Sequence, residues 1–254
     1  YESFEELFDH FPRMLSAYQP TYYLEESEEE EVGVLQDERQ RDRFLVKMMY
    51  ILMVKRLESS WYSFHSTVRK IREHHQRALD KVLEYQERKI NSALADIDNE
   101  TLFNEDDLQE DFEELTLGKK RKVKLSDIDA AGNLAFFKKA LKRDLDALDS
   151  LYSNLSKFEK QIDKEILLPD NVLSEDDKLQ TLINEIIIKR KSSENDGNQK
   201  VIVFTVYRDT AEYLFVQLKN RGFSRIAMVS GSGSKTDDAD EEVQNFEPIL
   251  ERFA

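Results

Sequence analysis

Residues 177–222 read DKLQTLINEIIIKRKSSENDGNQKVIVFTVYRDTAEYLFVQLKNRG, and this stretch decides the fold of the last third of the chain. Its first part predicts a helix, because apolar residues recur there at spacings of three and four: Leu179, Leu182, Ile183, Ile186 and Ile187. Ser174 and Asp177, three positions apart, form a capping arrangement with Asp in place of the usual Glu. The polar residues before Lys200 contain turn-forming Asn, Asp and Gly and end the helix.

A continuous β-branched and aromatic run follows at 201–204, as in a strand buried on both faces of a parallel sheet. The next segment predicts a helix that Gly222 closes as its C′ residue. The side chains expected to face the sheet from that helix are Ala211, Leu214, Phe215 and Leu218. Residues 226–229 are a second predicted strand, so the whole segment is a predicted β-α-β unit.

This order of elements, with Asp-x-Lys-Leu at 176–179 shortly before Lys-Val-Ile-Val-Phe-Thr at 200–205, resembles the entry into the second RecA-like lobe of Swi/Snf-type superfamily 2 helicases. The resemblance covers roughly the last third of the chain and makes 201–205 the counterpart of motif IV. It implies that Thr205, Tyr207 and Arg208 bind nucleic acid at the carboxyl edge of the sheet. Ser230 and Gly231, in the turn after the second strand, are expected at the same edge, where open α/β sheets bind ligands.

Residues 55–60 read KRLESS and resemble an element of a bacterial branch of these helicases, some of which carry a phospholipase-D-like segment. In those proteins the element lies in helices between the two motor lobes. The resemblance implies that Lys55, Arg56 and Glu58 contact a motor lobe or the nucleic-acid backbone. The alternative is a buried helix start in which Glu58 and Ser59 satisfy local backbone groups.

Two heptad seams occupy the middle of the chain and predict an antiparallel helical hairpin. The first seam contains Trp61, Phe64, Val68, Ile71, His75, Ala78, Val82 and Tyr85, and the second contains Leu134, Leu141, Leu145, Leu148, Tyr152, Leu155 and Ile162. We predict that the first seam lies on one helix from about Asp42 to about Leu94. No metal site is expected, because the adjacent histidines His74 and His75 point to different helix faces.

The predicted fold class is mainly α, a long antiparallel helical hairpin or bundle followed by a partial α/β RecA-like segment with a parallel sheet. Three domains are predicted: residues 1–40 as an N-terminal helix and extended acidic arm, 41–170 as the inter-lobe helical hairpin, and 171–254 as the truncated start of the second RecA-like lobe.

Composition bounds the class of protein. The net charge of −15 is unusual for a nucleic-acid-binding protein, because phosphate contacts require Lys and Arg. Much of the acidic excess lies in runs at 25–31 and 105–114. The basic run at 118–124 is interpreted as a loop that offsets the second of these, and the alternative is a run that contacts phosphates. The chain has no cysteine, no apolar run long enough to cross a bilayer and no leader, so we predict a cytoplasmic protein without a membrane partner.

The sequence contains neither a phosphate-binding Gly-x-x-x-x-Gly-Lys-Ser/Thr loop nor an acidic box. We therefore expect a fragment that has no catalytic residue, binds no cofactor and is inactive alone. The resemblance implies that the full-length protein is an ATP-dependent helicase or translocase, an ATP hydrolase that binds ATP and Mg between two lobes. Its implied partners are nucleic acid, with DNA favoured over RNA, and the missing first RecA-like lobe. The alternative function is a non-enzymatic coiled-coil protein-interaction module. Self-association of the fragment through an exposed helical seam is a separate candidate partner contact.

Overall fold

A computed structural model of the protein describes residues 11–25, 34–91, 123–165, 176–192, 197–231, 233–237 and 246–253. The chain divides into two compact units, Tyr1–Val54 with Thr67–Ser153 and Lys55–Ser66 with Asn154–Ala254. The fold is mainly helical, as predicted. The three domain boundaries proposed from sequence remain predictions.

The described residues form seven α-helices: α1 (Val34–Ser59), α2 (Trp61–Asn91), α3 (Leu125–Ala130), α4 (Leu134–Glu165), α5 (Asp177–Lys191), α6 (Arg208–Asn220) and α7 (Phe246–Phe253). They also contain two strands, β1 (Ala227–Ser230) and β2 (Gly233–Thr236), and two 3-10 turns, Ser16–Tyr18 and Pro20–Tyr23. None of the helices in these ranges is long and apolar enough to cross a membrane. The predicted helix end near Leu94, the acidic run at 105–114 and most of the basic run at 118–124 lie outside the described residues.

The single long helix predicted for the first seam is wrong, because the structure has two helices, α1 and α2, separated at Ser60. The Ser60 hydroxyl accepts a 3.1 Å hydrogen bond from the backbone N–H of Ser63. This is an N-cap contact to the third residue of α2 and satisfies a donor that the helix itself cannot pair. Serine favours such a cap because its hydroxyl competes for backbone groups in a helix interior.

In the first unit, α2 and α4 pair antiparallel, as the two seams predict. Lys138 donates a 2.6 Å hydrogen bond to Gln86, and Arg72 forms an ion pair with Asp149. Residues later in α4 therefore contact residues earlier in α2, which is the order of an antiparallel pair. The seam side chains fill the space between the helices and are buried: Val68, Ile71, Ala78, Val82, Leu134, Leu141, Leu145 and Leu148. Self-association through this seam stays a prediction, and it would require the hairpin to open.

The aromatic N-terminal segment packs into the same unit. Tyr18 is fully buried, and its ring stacks on the His74 ring with centroids 4.4 Å apart. The backbone N–H of Ser16 donates a 2.7 Å hydrogen bond to the Asp144 carboxylate of α4. This bond satisfies a buried carboxylate and joins the segment to the hairpin.

In the second unit, the first turn of α2 pairs with the end of α4. The Trp61 and Phe158 rings meet edge to face with centroids 5.0 Å apart. Ser156 lies 3.3 Å from the imidazole of His65, at hydrogen-bond distance. The antiparallel order of the two helices therefore also holds in this unit.

Helix α5 carries the predicted apolar stripe and ends before the predicted polar segment, but its cap differs from the prediction. The N-cap residue is Asp176, whose carboxylate accepts a 3.0 Å hydrogen bond from the Leu179 backbone N–H. Ser174 lies outside the described residues. Of the predicted apolar stripe, Leu179, Ile183 and Ile186 are buried, while Ile187 is exposed.

Helix α6 ends as predicted. Gly222 has a φ of +81°. The Gly222 N–H donates to the Lys219 carbonyl and the Phe223 N–H to the Leu218 carbonyl, both at 3.1 Å. These two bonds form a Schellman motif, in which glycine takes the left-handed position without a Cβ penalty.

The buried face of α6 differs from the predicted one. Its buried residues are Thr210, Tyr213 and Gln217, whereas the apolar stripe predicted to face a sheet is only half-buried. The polar groups of Thr210 and Tyr213 on this face form hydrogen bonds that are described below.

The predicted β-α-β unit is not what the described residues form. Within the described ranges, residues 201–204 have no strand partner, and Ile202, Val203 and Phe204 are exposed, Phe204 at 90%. The predicted second strand does exist as β1, but it pairs antiparallel with β2 across a tight turn, with Met228 opposite Lys235. A parallel strand requires a hydrogen-bonded neighbour and cover on both faces, and residues 201–204 have neither in the described part of the chain. The described part of the chain therefore shows no RecA-like parallel sheet.

Candidate functional site

Three of the five residues predicted to bind nucleic acid lie around the start of α6, in the second unit. Thr205 and Tyr207 belong to the segment that leads into the helix, and Arg208 is its first residue. The Tyr207 N–H lies 3.4 Å from the Thr205 hydroxyl, a local contact that turns the chain into α6. The Arg208 side chain is 52% exposed, so its guanidinium is accessible to a ligand.

Arg56, at the end of α1, contacts this segment directly. Its Nη1 lies 3.1 Å from the Asp209 carboxylate, and its guanidinium lies over the Tyr207 ring, 4.8 Å from the centroid. The Arg56 side chain is only 7% exposed, so water screens this ion pair weakly. A planar guanidinium can pair with a carboxylate and stack on an aromatic ring at once, which a lysine does less well.

Four hydroxyl residues surround the same turn, and we call Ser59, Ser60, Thr205 and Thr210 the hydroxyl cluster. The Thr210 hydroxyl lies 2.8 Å from that of Ser59 and 2.8 Å from that of Ser60. The Ser59 hydroxyl is also 3.5 Å from that of Thr205, a distance at the outer limit for a hydrogen bond. Thr210 is therefore the centre of the cluster, and it joins the α1–α2 junction to the first turn of α6.

A second chain of hydrogen bonds connects α2, α6 and α5. The Trp61 Nε1–H donates to the Tyr213 hydroxyl at 3.0 Å, and the Tyr213 hydroxyl donates to the Asp176 carboxylate at 2.8 Å. Burial, together with the Asp176 charge, raises the pKa of Tyr213 far above its usual value, so the phenol remains a donor. Asp176 also caps α5, so one carboxylate joins the start of α5 to Tyr213 of α6.

The exposed side of α6 carries a cluster of opposite charges, which we call the Arg208–Glu212–Lys235 cluster. The Arg208 guanidinium and the Lys235 ammonium both lie 3.2 Å from the same oxygen, Oε1 of Glu212. Partial burial alone would raise the pKa of the Glu212 carboxyl, but the hydrogen bonds and charges of Lys235 and Arg208 outweigh it and hold that pKa below its usual value. Two cations from different elements therefore converge on one carboxylate.

The remaining predicted site residues occupy separate positions. The Ser230 hydroxyl donates a 2.9 Å hydrogen bond to the Gly233 carbonyl and closes the β1–β2 hairpin, and Gly231 lies in its exposed turn. Lys55 is exposed, as is the Glu58 side chain, while the Glu58 carbonyl accepts a hydrogen bond from Lys178. No parallel sheet in the described residues brings the hairpin turn and Thr205 to one edge.

Three residues of this region were not expected from sequence. Asp209 and Thr210 lie within the segment that the family resemblance highlighted, but their partners are on a helix more than a hundred residues earlier. Lys235 lies in a Gly-Ser-rich turn sequence that only superficially suggests a phosphate loop. Its proximity to Glu212 follows from hairpin register, which short-range sequence patterns do not specify.

Comparisons with protein-family models, with curated proteins and with solved structures found no match to this chain. The functional interpretation therefore depends on the residues and their geometry.

Proposed function

We propose that this chain is the inter-lobe helical region and the start of the second motor lobe of an ATP-dependent nucleic-acid translocase or helicase. In this proposal the turn at 205–208 contacts the nucleic-acid backbone, with DNA favoured over RNA. The helical hairpin acts as a brace for that turn.

One observation carries the proposal. Two segments of the chain resemble helicase elements independently: residues 55–60, and residues 200–208 with the residues that follow. These two segments are in contact within the second unit. Arg56 reaches Asp209, and Ser59 reaches Thr210, across gaps of 153 and 151 residues. Contact between an inter-lobe element and the turn after motif IV is what a brace between the helical region and a motor lobe requires.

Exposed apolar surface supports the same proposal. Phe204 and Val206 are each about nine-tenths exposed, and the apolar stripe of α6 is only half-buried. Contiguous exposed apolar surface generally indicates a contact with another protein segment. A RecA-like sheet built on residues 201–204 would cover the strand and the stripe together.

ATP and Mg enter the proposal only for the full-length protein. This sequence has no loop of backbone donors for the nucleotide phosphates and no acidic box for the metal ion. We therefore assign none of its residues to ATP or Mg. The chain's own contribution is to hold the backbone-contacting turn in place.

The test is ATP turnover by the full-length protein that carries this sequence, measured without nucleic acid and with single-stranded DNA, duplex DNA or RNA. The proposal predicts turnover that nucleic acid stimulates, with DNA more effective than RNA. A protein without ATP turnover, or with turnover that no nucleic acid changes, would contradict it. The variant Arg56→Gln in the same protein tests the brace, because it removes the contact with Asp209, and loss of stimulation with retained basal turnover is expected.

A further inference from the structure

The Arg208–Glu212–Lys235 cluster combines two features that a purely structural ion-pair network does not require. Arg208 is the first residue of α6, where the helix dipole disfavours a cation. It also precedes its Glu partner by four positions, which is the less favourable order for an i, i+4 pair. Arg208 is therefore poorly placed for stabilising the helix, and its position calls for another explanation.

The second feature is the convergence of Lys235 on the same atom. Lys235 comes from β2, not from α6, and its ammonium meets the oxygen that Arg208 already contacts. Both cationic side chains are more than half exposed, whereas the Glu212 side chain is 30% exposed. An arginine and a lysine directed at one oxygen form the arrangement that proteins use for phosphate, with the guanidinium as a planar donor and the ammonium as a point charge.

We propose that Arg208 and Lys235 form a binding site for one phosphate of the nucleic-acid backbone, and that Glu212 occupies this site as an internal competitor when nucleic acid is absent. The site rests on the proposed function and adds Lys235 and Glu212 to it. On binding, a phosphate oxygen takes the place of Glu212 Oε1 between the two cations. Exposed ion pairs contribute little stability, so displacing the carboxylate costs little.

If Glu212 competes with phosphate, removing its charge changes DNA affinity in a way that removing a purely structural carboxylate does not. Removing its charge frees both cations, so Glu212→Gln is expected to tighten DNA binding. Lys235→Ala removes one of the two phosphate partners and is expected to weaken it. In the Lys235→Ala background, Glu212→Gln should tighten DNA binding less than it does in the parent protein, because one of the two cations that it would free is then absent.

The experiment measures binding of a fluorescein-labelled duplex DNA to the full-length protein by fluorescence anisotropy over a range of salt concentrations. Glu212→Gln is expected to lower the dissociation constant by about two- to fivefold, the range that corresponds to an exposed ion pair. Lys235→Ala is expected to raise it by a similar factor and to reduce the slope of log affinity against log salt by about 0.9.

Two variants match these changes in charge elsewhere in the same unit. Glu185→Gln removes an exposed carboxylate from α5, and Lys219→Ala removes an exposed cation from the end of α6. They report the general effect of net charge on DNA affinity. The changes in dissociation constant in the cluster variants are expected to be larger than those in these controls.

Each outcome has a distinct meaning. If DNA binds but the cluster variants behave like their controls, the phosphate site is wrong and the proposed function stands. If no variant and no parent protein binds DNA, the proposed function is wrong and the site falls with it.

Discussion

Arg56 and Asp209 form an ion pair with nitrogen and oxygen 3.1 Å apart, although 153 residues separate them in sequence. The pair joins the end of α1 to the first turn of α6, next to the residues proposed to contact nucleic acid. Because Arg56 is nearly buried, this contact carries more weight than a surface ion pair of the same length. In the proposed function, it is the contact through which the end of α1 supports the turn at 205–208.

Asp209→Asn retains the shape of the side chain but removes the charge that faces Arg56. We expect the free energy of unfolding to fall by about 1–3 kcal/mol, the usual cost of weakening a largely buried charged hydrogen bond. The measurement is urea denaturation of Asp209→Asn, Arg56→Gln and the double variant. A coupling energy of about 0.5–3 kcal/mol is expected for residues in contact, and strictly additive effects would contradict the pair.

Thr210→Val keeps the volume of a β-branched side chain and removes the central hydroxyl of the hydroxyl cluster. The hydroxyls of Ser59 and Ser60 then lose their shared partner in a buried setting, and we expect a loss of about 1–3 kcal/mol in unfolding free energy. Thr181→Val is the matched control, because the Thr181 hydroxyl is exposed and bonds only within its own helix at the Asp177 carbonyl. Equal stability losses in the two variants would show that the cluster has no special role.

Tyr213→Phe removes the hydroxyl that connects Trp61 to Asp176. The change is expected to lower the unfolding free energy by about 1–3 kcal/mol, because it removes one buried and one partly buried hydrogen bond without creating a large cavity. Trp61 is the single tryptophan of the chain, so its fluorescence follows unfolding of this region. Tyr22→Phe, at an exposed tyrosine, should leave stability nearly unchanged. A neutral or stabilising effect of Tyr213→Phe would refute the connection.

His75 makes the first unit sensitive to mild acid. Burial lowers the pKa of His75, although its contact with the Ile71 carbonyl and the charge of Asp144 oppose that shift. The unfolded chain therefore binds a proton near pH 6.5 that the folded chain resists, so stability is complete above that pH and falls as pH drops below it. The expected slope approaches about 1.4 kcal/mol per pH unit.

The measurement is the unfolding free energy from urea titrations between pH 7.5 and pH 5.5, a window about the usual histidine pKa. His75→Asn keeps a donor close to the position of Nδ1 and removes the titrating ring. We expect this variant to be less stable at neutral pH but to show a flatter pH dependence. An unchanged slope would mean that another group controls the acid sensitivity.

The helical part of the fold was predictable because its signals are local. Spacings of three and four placed the seam residues Ile71 and Leu148 on facing helices, and Gly222 marked the end of α6 by its conformational freedom. The break at Ser60 was harder to predict, because the three-and-four spacing of apolar residues continues through it. A serine caps a helix only when the chain around it turns, and that spacing does not show such a turn.

The sheet and the site depend on contacts that short patterns do not contain. Residues 201–204 have the composition of a buried strand, but burial requires neighbouring strands, and Phe204 is exposed in the described structure. The predicted roles of Thr205, Tyr207 and Arg208 depend on the family resemblance and remain proposals. The contact of this segment with Arg56 and the contact of Lys235 with Glu212 are both long-range. Only the three-dimensional structure reveals them.

The most direct test of the central claim is the DNA stimulation of ATP turnover by the full-length protein, compared among the parent, Thr205→Ala and Arg208→Ala. We expect both variants to retain basal turnover measured without DNA, because neither residue is assigned to ATP. We also expect Arg208→Ala to require several-fold more DNA for half-maximal stimulation and Thr205→Ala to show a smaller shift in the same direction. DNA stimulation that is identical in all three proteins would contradict the assignment of this turn to nucleic acid.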